Sequence, residues 1–141
     1  MSIPAIKGIE IGDGFQLAAL PGNLAHDAIA YQAGKGFYRC SNHAGGLEGG
    51  MTNGELLTLR VVMKPIPTLM RPLPSVDIRT KKQVTADVER ADVCAVPAAA
   101  VVAAAMTAWV LARGVLVQFG GDYFPEIKER LAAYRYYLQQ H

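Results

Sequence analysis

Strands first and two helices last is an order that predicts an α+β fold, with strands layered against helices rather than a doubly wound parallel sheet. Three observations carry that expectation. Short β-like runs broken by Gly and Pro fill the stretch up to Thr85, an uncharged alanine-rich segment follows Pro97, and an amphipathic segment closes the chain. With 141 residues and 51% hydrophobic content, the chain is sized for one domain with a real core, expected to span 1–141.

Taken in order, Ile6–Ile11 reads as a strand stopped by the Gly12-Asp13-Gly14 turn. Phe15–Leu20 begins a short element, and Pro21-Gly22-Asn23 breaks it. From Asn23 to Phe37 the pattern is weak and small residues abound, which reads as a loop or mobile flap. Ser41–Gly54, SNHAGGLEGGMTNG, carries too many glycines for a stable helix or a regular strand. Glu55–Met63 is a strand entering a core, and the two prolines of Lys64-Pro65-Ile66-Pro67-Thr68 end it by removing ladder donors. Leu69–Thr85 is extended, with β-like pieces around Val76–Ile78. Pro97 suits the first turn of a helix, which runs to about Phe119 and stops at Gly120-Gly121. Asp122 is placed to cap a last helix over Pro125–Gln140, with Ile127, Leu131, Tyr134 and Leu138 on one face.

Composition narrows the function. A net charge of +2 with scattered basic residues argues against nucleic acid as a partner and agrees with an anionic small molecule. Cys40 and Cys94 stand far apart with no metal-ligand spacing, the pattern of a reduced, cytoplasmic protein. Met1-Ser2-Ile3-Pro4 has no basic or long apolar leader. Ala95–Ala112 is uncharged, but alanine gains little on transfer to lipid. It therefore reads as a buried helix of a soluble protein, not a membrane span. Cys94 is expected to be a small buried residue at that helix's start, and Trp109, Tyr134, Tyr136 and Tyr137 to be core or interface residues. His26 and His43 fall in loops and are expected to be solvent-exposed rather than catalytic.

The Gly-rich run is not a Gly/Ser linker, because Asn42, His43, Leu47, Glu48, Met51 and Asn53 are interspersed at fixed places. Glycines so placed let backbone N–H groups approach flat rings and phosphates, yet the spacing fits neither GxGxxG nor a P-loop. Lys64–Thr68 offers a positive charge, a hydroxyl and a proline-fixed backbone, a combination suited to an anionic ring or phosphate tail. Arg90 and Asp92, two apart before a helix, could point the same way and tune each other's charge; an ordinary surface ion pair is the bland alternative.

NxAGGLEGGMTNG resembles the Gly-rich segment of chorismate synthases, and KPIPT over Lys64–Thr68 resembles their downstream segment. Arg90–Pro97, RADVCAVP, and the opening SIPAIKGIEIGDGF resemble two more family segments, all in register across essentially the whole chain. The resemblance implies the C-terminal part of that family's β-α-β sandwich, with the N-terminal half, its catalytic histidines and most substrate-binding arginines absent. It implies an FMN-dependent lyase that eliminates phosphate from 5-enolpyruvylshikimate 3-phosphate in anti 1,4 fashion to give chorismate. Chorismate feeds aromatic amino acid biosynthesis. The flavin works reduced and without net redox change, with electrons from NADPH through an external reductase.

By the same resemblance, Lys64, Pro65, Ile66, Pro67 and Thr68 wrap the flavin, and Gly49, Pro4 and Ala5 lie against it. Arg90 contacts the flavin region, and Asp92 sits near flavin N5 and helps that centre accept the substrate proton. The partners implied are the anionic substrate, flavin, and either a homotetramer or the missing half. Three positions depart from the family: Ala91 stands where serine or histidine is usual, Ala104 where glutamate is usual, and Pro4 where a polar residue is common. Two functions therefore stay open: the flavin-facing part of a chorismate synthase, inactive alone, or a truncated, non-catalytic flavin-binding or oligomerisation module. A purely structural fragment is a third.

Overall fold

The computed structural model describes residues 1–89 and 94–140. Its central ribbon is antiparallel: β1 (Ile6–Ile11) pairs with β6 (Leu59–Met63), from Ile6 opposite Met63 to Ile11 opposite Leu59, with a register shift between Ile6 and Gly8. Between these two strands the chain makes a 3-10 turn over Gly14–Ala19, the single-turn α1 (Gly22–Ala25), and two hairpins. The first hairpin is β2 (Ile29–Gln32) with β3 (Gly36–Arg39), and the second is β4 (Leu47–Glu48) with β5 (Met51–Thr52). A third, β7 (Pro74–Val76) with β8 (Gln83–Thr85), follows β6 and is exposed throughout. The helices are α2 (Val96–Phe119) and α3 (Phe124–Gln140). Strands followed by two helices make the molecule α+β.

Several expectations change. The flap expected over Asn23–Phe37 is instead α1 and most of the β2–β3 hairpin, whose Ala28 O accepts a bond from Cys40 N at 2.8 Å. The Gly-rich run does contain strands, two residues each, because left-handed Gly49 (φ 57°) and Gly50 (φ 79°) close a two-residue turn. Asp122 is not the flanking residue of α3. Ile127 N donates to Tyr123 O, so Tyr123 holds that position and Asp122 lies one residue further out.

The larger correction concerns burial. Helix α2 is not a buried helix: Ala99 is its one buried residue, and Trp109 is 67% exposed. Ala99, Ala103, Thr107, Val115 and Phe119 are the less exposed positions, spaced by four residues apart from the gap at exposed Leu111, and they mark its inward side. Length and mean hydropathy of 1.9 would let α2 cross a membrane on those two criteria alone. Cys94 is exposed, and Tyr134, Tyr136 and Tyr137 are exposed too, so none of these residues is core. On α3 the predicted face is covered only at its start, where Ile127 is buried and Leu131 partly so. Among the described residues, Ile6, Ala99 and Ile127 are the buried hydrophobic side chains, one each on β1, α2 and α3.

Candidate functional site

The Gly-rich run owes its shape to one buried carboxylate. Asp27, between α1 and β2, is 8% exposed. Its Oδ1 accepts the Ser41 hydroxyl at 2.5 Å and the His43 N–H at 2.8 Å, and its Oδ2 accepts the Ala44 N–H at 2.9 Å. Burial works to raise the Asp27 pKa, but the bonds from Ser41, Ala44 and His43, with the nearby imidazole, outweigh it and hold the group below the usual carboxylate value. His43 then reaches the turn after β1: its Nδ1 lies 2.5 Å from Asp13 Oδ2, and its carbonyl accepts Asp13 N–H at 2.9 Å. The Asp13 bond raises the imidazole pKa, desolvation opposes it, and the charges of Asp13 and Asp27 reinforce it.

Two kinds of glycine follow. A Cβ on Gly12 would stand 2.1 Å from His43 O, and one on Gly45 would stand 2.2 Å from Gly12 N. Both residues are left-handed, so bare backbone is what lets the run dock on the end of β1. Asn42 supports that docking from below. Its Nδ2 donates to Leu56 O and its Oδ1 accepts Gly46 N–H, each at 2.8 Å. Gly49 and Gly50 are different, since nothing lies within 4 Å of where their Cβ atoms would stand, and both are exposed. Turn geometry explains their φ angles; crowding does not explain their lack of side chains.

At the other end of the ribbon, Lys64 N donates to Ala5 O at 2.7 Å, and Ala5 adopts φ 65°, unusual for a residue with a side chain. The Ala5 and Lys64 segments therefore meet. Lys64, Pro65 and Pro67 are exposed, Ile66 and Thr68 are half-buried, and Pro4 and Ala5 are exposed beside them. Lys64 has no ion-pair partner among the described residues. A cation with no ion-pair partner among the described residues and two prolines thus stand exposed on one ledge here, with a half-buried hydroxyl four residues along the chain, groups that suit an anionic ligand. Gly49 is not brought to this ledge, because the Gly-rich run docks at the Ile11–Leu59 end and Lys64 leaves from the Ile6–Met63 end. Arg90 and Asp92 lie outside the described residues.

Among the described residues, shallow hollows lie beside Ile9, Glu10 and Phe15 and along α3 between Lys128 and Gln139. Neither includes a predicted site residue. Among the described residues no His, Cys, Asp and Glu cluster could hold a metal ion. Asp27 was not singled out from the sequence, and Asp13 and Glu48 were named only as members of a turn and of the Gly-rich run, without these bonds. Side chain-to-backbone bonds leave no periodic trace, and the one available cue was Asp13 between two glycines in a tight turn.

Comparison with known proteins agrees with this architecture. Residues 1–116 match the family model described as chorismate synthase. The chain is 73% identical over 140 residues to the chorismate synthase of Moorella thermoacetica, covering 99% of this chain and 37% of that protein. It is 59% identical to that of Desulforamulus reducens over 140 residues, covering 99% of this chain and 36% of that protein. A crystal structure of a chorismate synthase superposes with a TM-score of 0.78 at 42% identity, covering 100% of this chain and 34% of that one. The chain thus spans a little over a third of the length of the curated relatives it matches.

Proposed function

Given that the chain belongs to the chorismate synthase family, we propose that it supplies one flavin-facing wall of that enzyme's active site. The reading corresponds to the C-terminal part of the fold. The reaction served is the elimination of phosphate from 5-enolpyruvylshikimate 3-phosphate to chorismate. Reduced FMN, when bound, supplies the electron-rich centre that assists loss of phosphate without net redox change. NADPH is the proposed source of its electrons, through a separate reductase.

The chain's own residues then divide the binding among them. The Lys64 ammonium pairs with an anionic portion of the ligand, and the Thr68 hydroxyl donates to it. Pro65 and Pro67, with φ fixed by their rings, keep those two groups in one arrangement. The Ala5 carbonyl holds the Lys64 backbone, so Pro4 and Ala5 share the same ledge. The bare Gly49 backbone offers a flat approach surface of its own toward the other end of the β1–β6 ribbon, apart from that ledge. Arg90 is proposed as the cation beside the flavin and Asp92 as the carboxylate that handles the proton taken from substrate.

The observation that supports this reading best is the Ala5–Lys64 bond, which joins two separately predicted flavin segments at a cation with no ion-pair partner among the described residues. Titrating the purified chain with FMN tests it. Quenching of flavin fluorescence that weakens about tenfold in Lys64→Ala is expected for loss of a charge-assisted contact. Unchanged flavin fluorescence and melting temperature at high FMN would remove the reading.

The chain alone is expected to make no chorismate, because the family's catalytic histidines have no counterpart in it. Turnover with reduced FMN and substrate would overturn that expectation. A second reading, a non-catalytic assembly module, is favoured by the exposed apolar side of α2. In both readings the partners are further copies in a homotetramer or the rest of the enzyme, in the cytoplasm.

A further inference from the structure

The tip at Gly49 is held by a device that the proposed chemistry does not use. Glu48, the last residue of β4, accepts Arg39 Nη2 from the end of β3 at 2.6 Å and Asn53 Nδ2 from beyond β5 at 2.9 Å, both on Oε2. A second carboxylate braces the same parts: Glu55 Oε1 accepts Arg39 N–H at 3.1 Å, and Glu55 N donates to Asn53 Oδ1 at 3.0 Å. Strands of two residues cannot set the direction of a turn by ladder bonds alone. Here an ion pair to the neighbouring hairpin and an amide on the far side of the turn grip the residue directly before Gly49. The Arg39 side chain is 21% exposed, so the pair is partly sheltered from solvent and salt.

We propose that Arg39 and Glu48 are positioning residues for ligand binding, fixing the angle at which the Gly49–Gly50 backbone meets a flat, anionic ring such as a flavin. This rests on the reading of Gly49 as a flavin-facing residue. The open space around both glycines is what gives the clamp a purpose. A turn packed against its own chain would be held by that packing, whereas a projecting one has to be aimed from its base.

The experiment is FMN titration of the chain and of Glu48→Ala, Glu48→Gln, Arg39→Ala and the Arg39→Ala/Glu48→Ala double variant. Amide hydrogen exchange over 49–53 and over the β1–β6 ribbon is followed in parallel, well below each melting temperature. Glu48→Ala is expected to weaken FMN binding about fivefold, as loss of one partly sheltered ion pair predicts. Glu48→Gln, which keeps an acceptor for Asn53, recovers part of the loss, and the double variant is no worse than either single one. Exchange at 49–53 speeds up while the ribbon stays protected. FMN affinity equal to the parent chain in Glu48→Ala would overturn the proposal and leave the flavin reading standing. An affinity loss accompanied by faster exchange throughout the ribbon would reduce the pair to a structural role and overturn it equally. A parent chain that binds no FMN would remove the flavin reading and the proposal with it.

Discussion

Asp27 satisfies three donors with two oxygens inside a chain that buries little else, so its replacement by Asn should be costly. An amide keeps one acceptor and turns a donor toward one of its donating neighbours. Asp27→Asn is expected to lose about 1–3 kcal/mol of stability, read by denaturant titration. The neighbouring titrations give a pH profile. His43, raised by Asp13, contributes stability that is complete below the ordinary imidazole pKa and fades as pH climbs through its raised value. Asp27, lowered by its donors, contributes stability that is complete above the ordinary carboxylate pKa and fades as pH falls through its lowered value. Stability should therefore peak on the mildly acidic side of neutrality, and His43→Gln should flatten the alkaline limb and, by removing the charge that helps lower Asp27, weaken the acid limb as well. An unchanged alkaline limb in that variant would refute the assignment. The two classes of glycine also separate: Gly45→Ala meets backbone at 2.2 Å and should cost about 2–5 kcal/mol. Gly49→Ala, in open space, should cost about 1–2 kcal/mol through its left-handed φ and show its main effect on FMN affinity.

Helices α2 and α3 meet at a corner built from few groups. Arg130 Nη1 donates to Phe119 O at 2.7 Å, capping a carbonyl that α2 leaves unpaired, and its other nitrogen meets Glu126 one turn back on α3. Phe119 and Tyr134 add an edge-to-face ring pair at 5.6 Å. Arg130→Ala should cost about 1 kcal/mol and raise amide exchange in α3 while the β1–β6 ribbon is untouched. This corner was legible in the sequence because it is punctuated: Pro97 opens α2, Gly120 closes it, and α3 repeats apolar residues at helical spacing. β1 and β6 were legible from their apolar runs and the turn residues beyond them. The β2–β3 hairpin was not, because Ile29, Tyr31 and Phe37 lie open to solvent and no covered face imposes alternation. The β4–β5 hairpin escaped for another reason, since its turn rather than its side chains makes it. At the candidate site, resemblance named Ala5 and Lys64 separately, but only strand register could show that they touch, and that Gly49 sits toward the ribbon's other end. The Asp27 anchor and the Arg39–Glu48 clamp are side-chain bonds between distant segments, which no local pattern encodes.

A folded monomer of 15.1 kDa should expose about 7,100 Å². This chain exposes 11652 Å². Some of the exposed surface is apolar and lies on α2, where Val101, Trp109, Val110 and Val117 are open. Surface of that kind marks contact with other protein. Sedimentation of the chain across a range of concentrations is expected to show self-association, with Trp109 emission shifting to the blue as it proceeds. A monomer with red-shifted emission at every concentration would argue against an assembly face on α2. The β1–β6 ribbon has one more consequence, in time rather than in space. Its strands are partners across a loop that holds both small hairpins and the whole glycine run, so it cannot zip until that loop has closed. The local hairpins are expected to form on microseconds and the ribbon to follow, which pulse-labelled amide exchange during refolding would check. Ala5 and Lys64, beyond the ribbon's far end, are joined in that same late event. On that order the ledge proposed for flavin would form only once the loop has closed, and a chain caught before it would own every binding residue and no binding site.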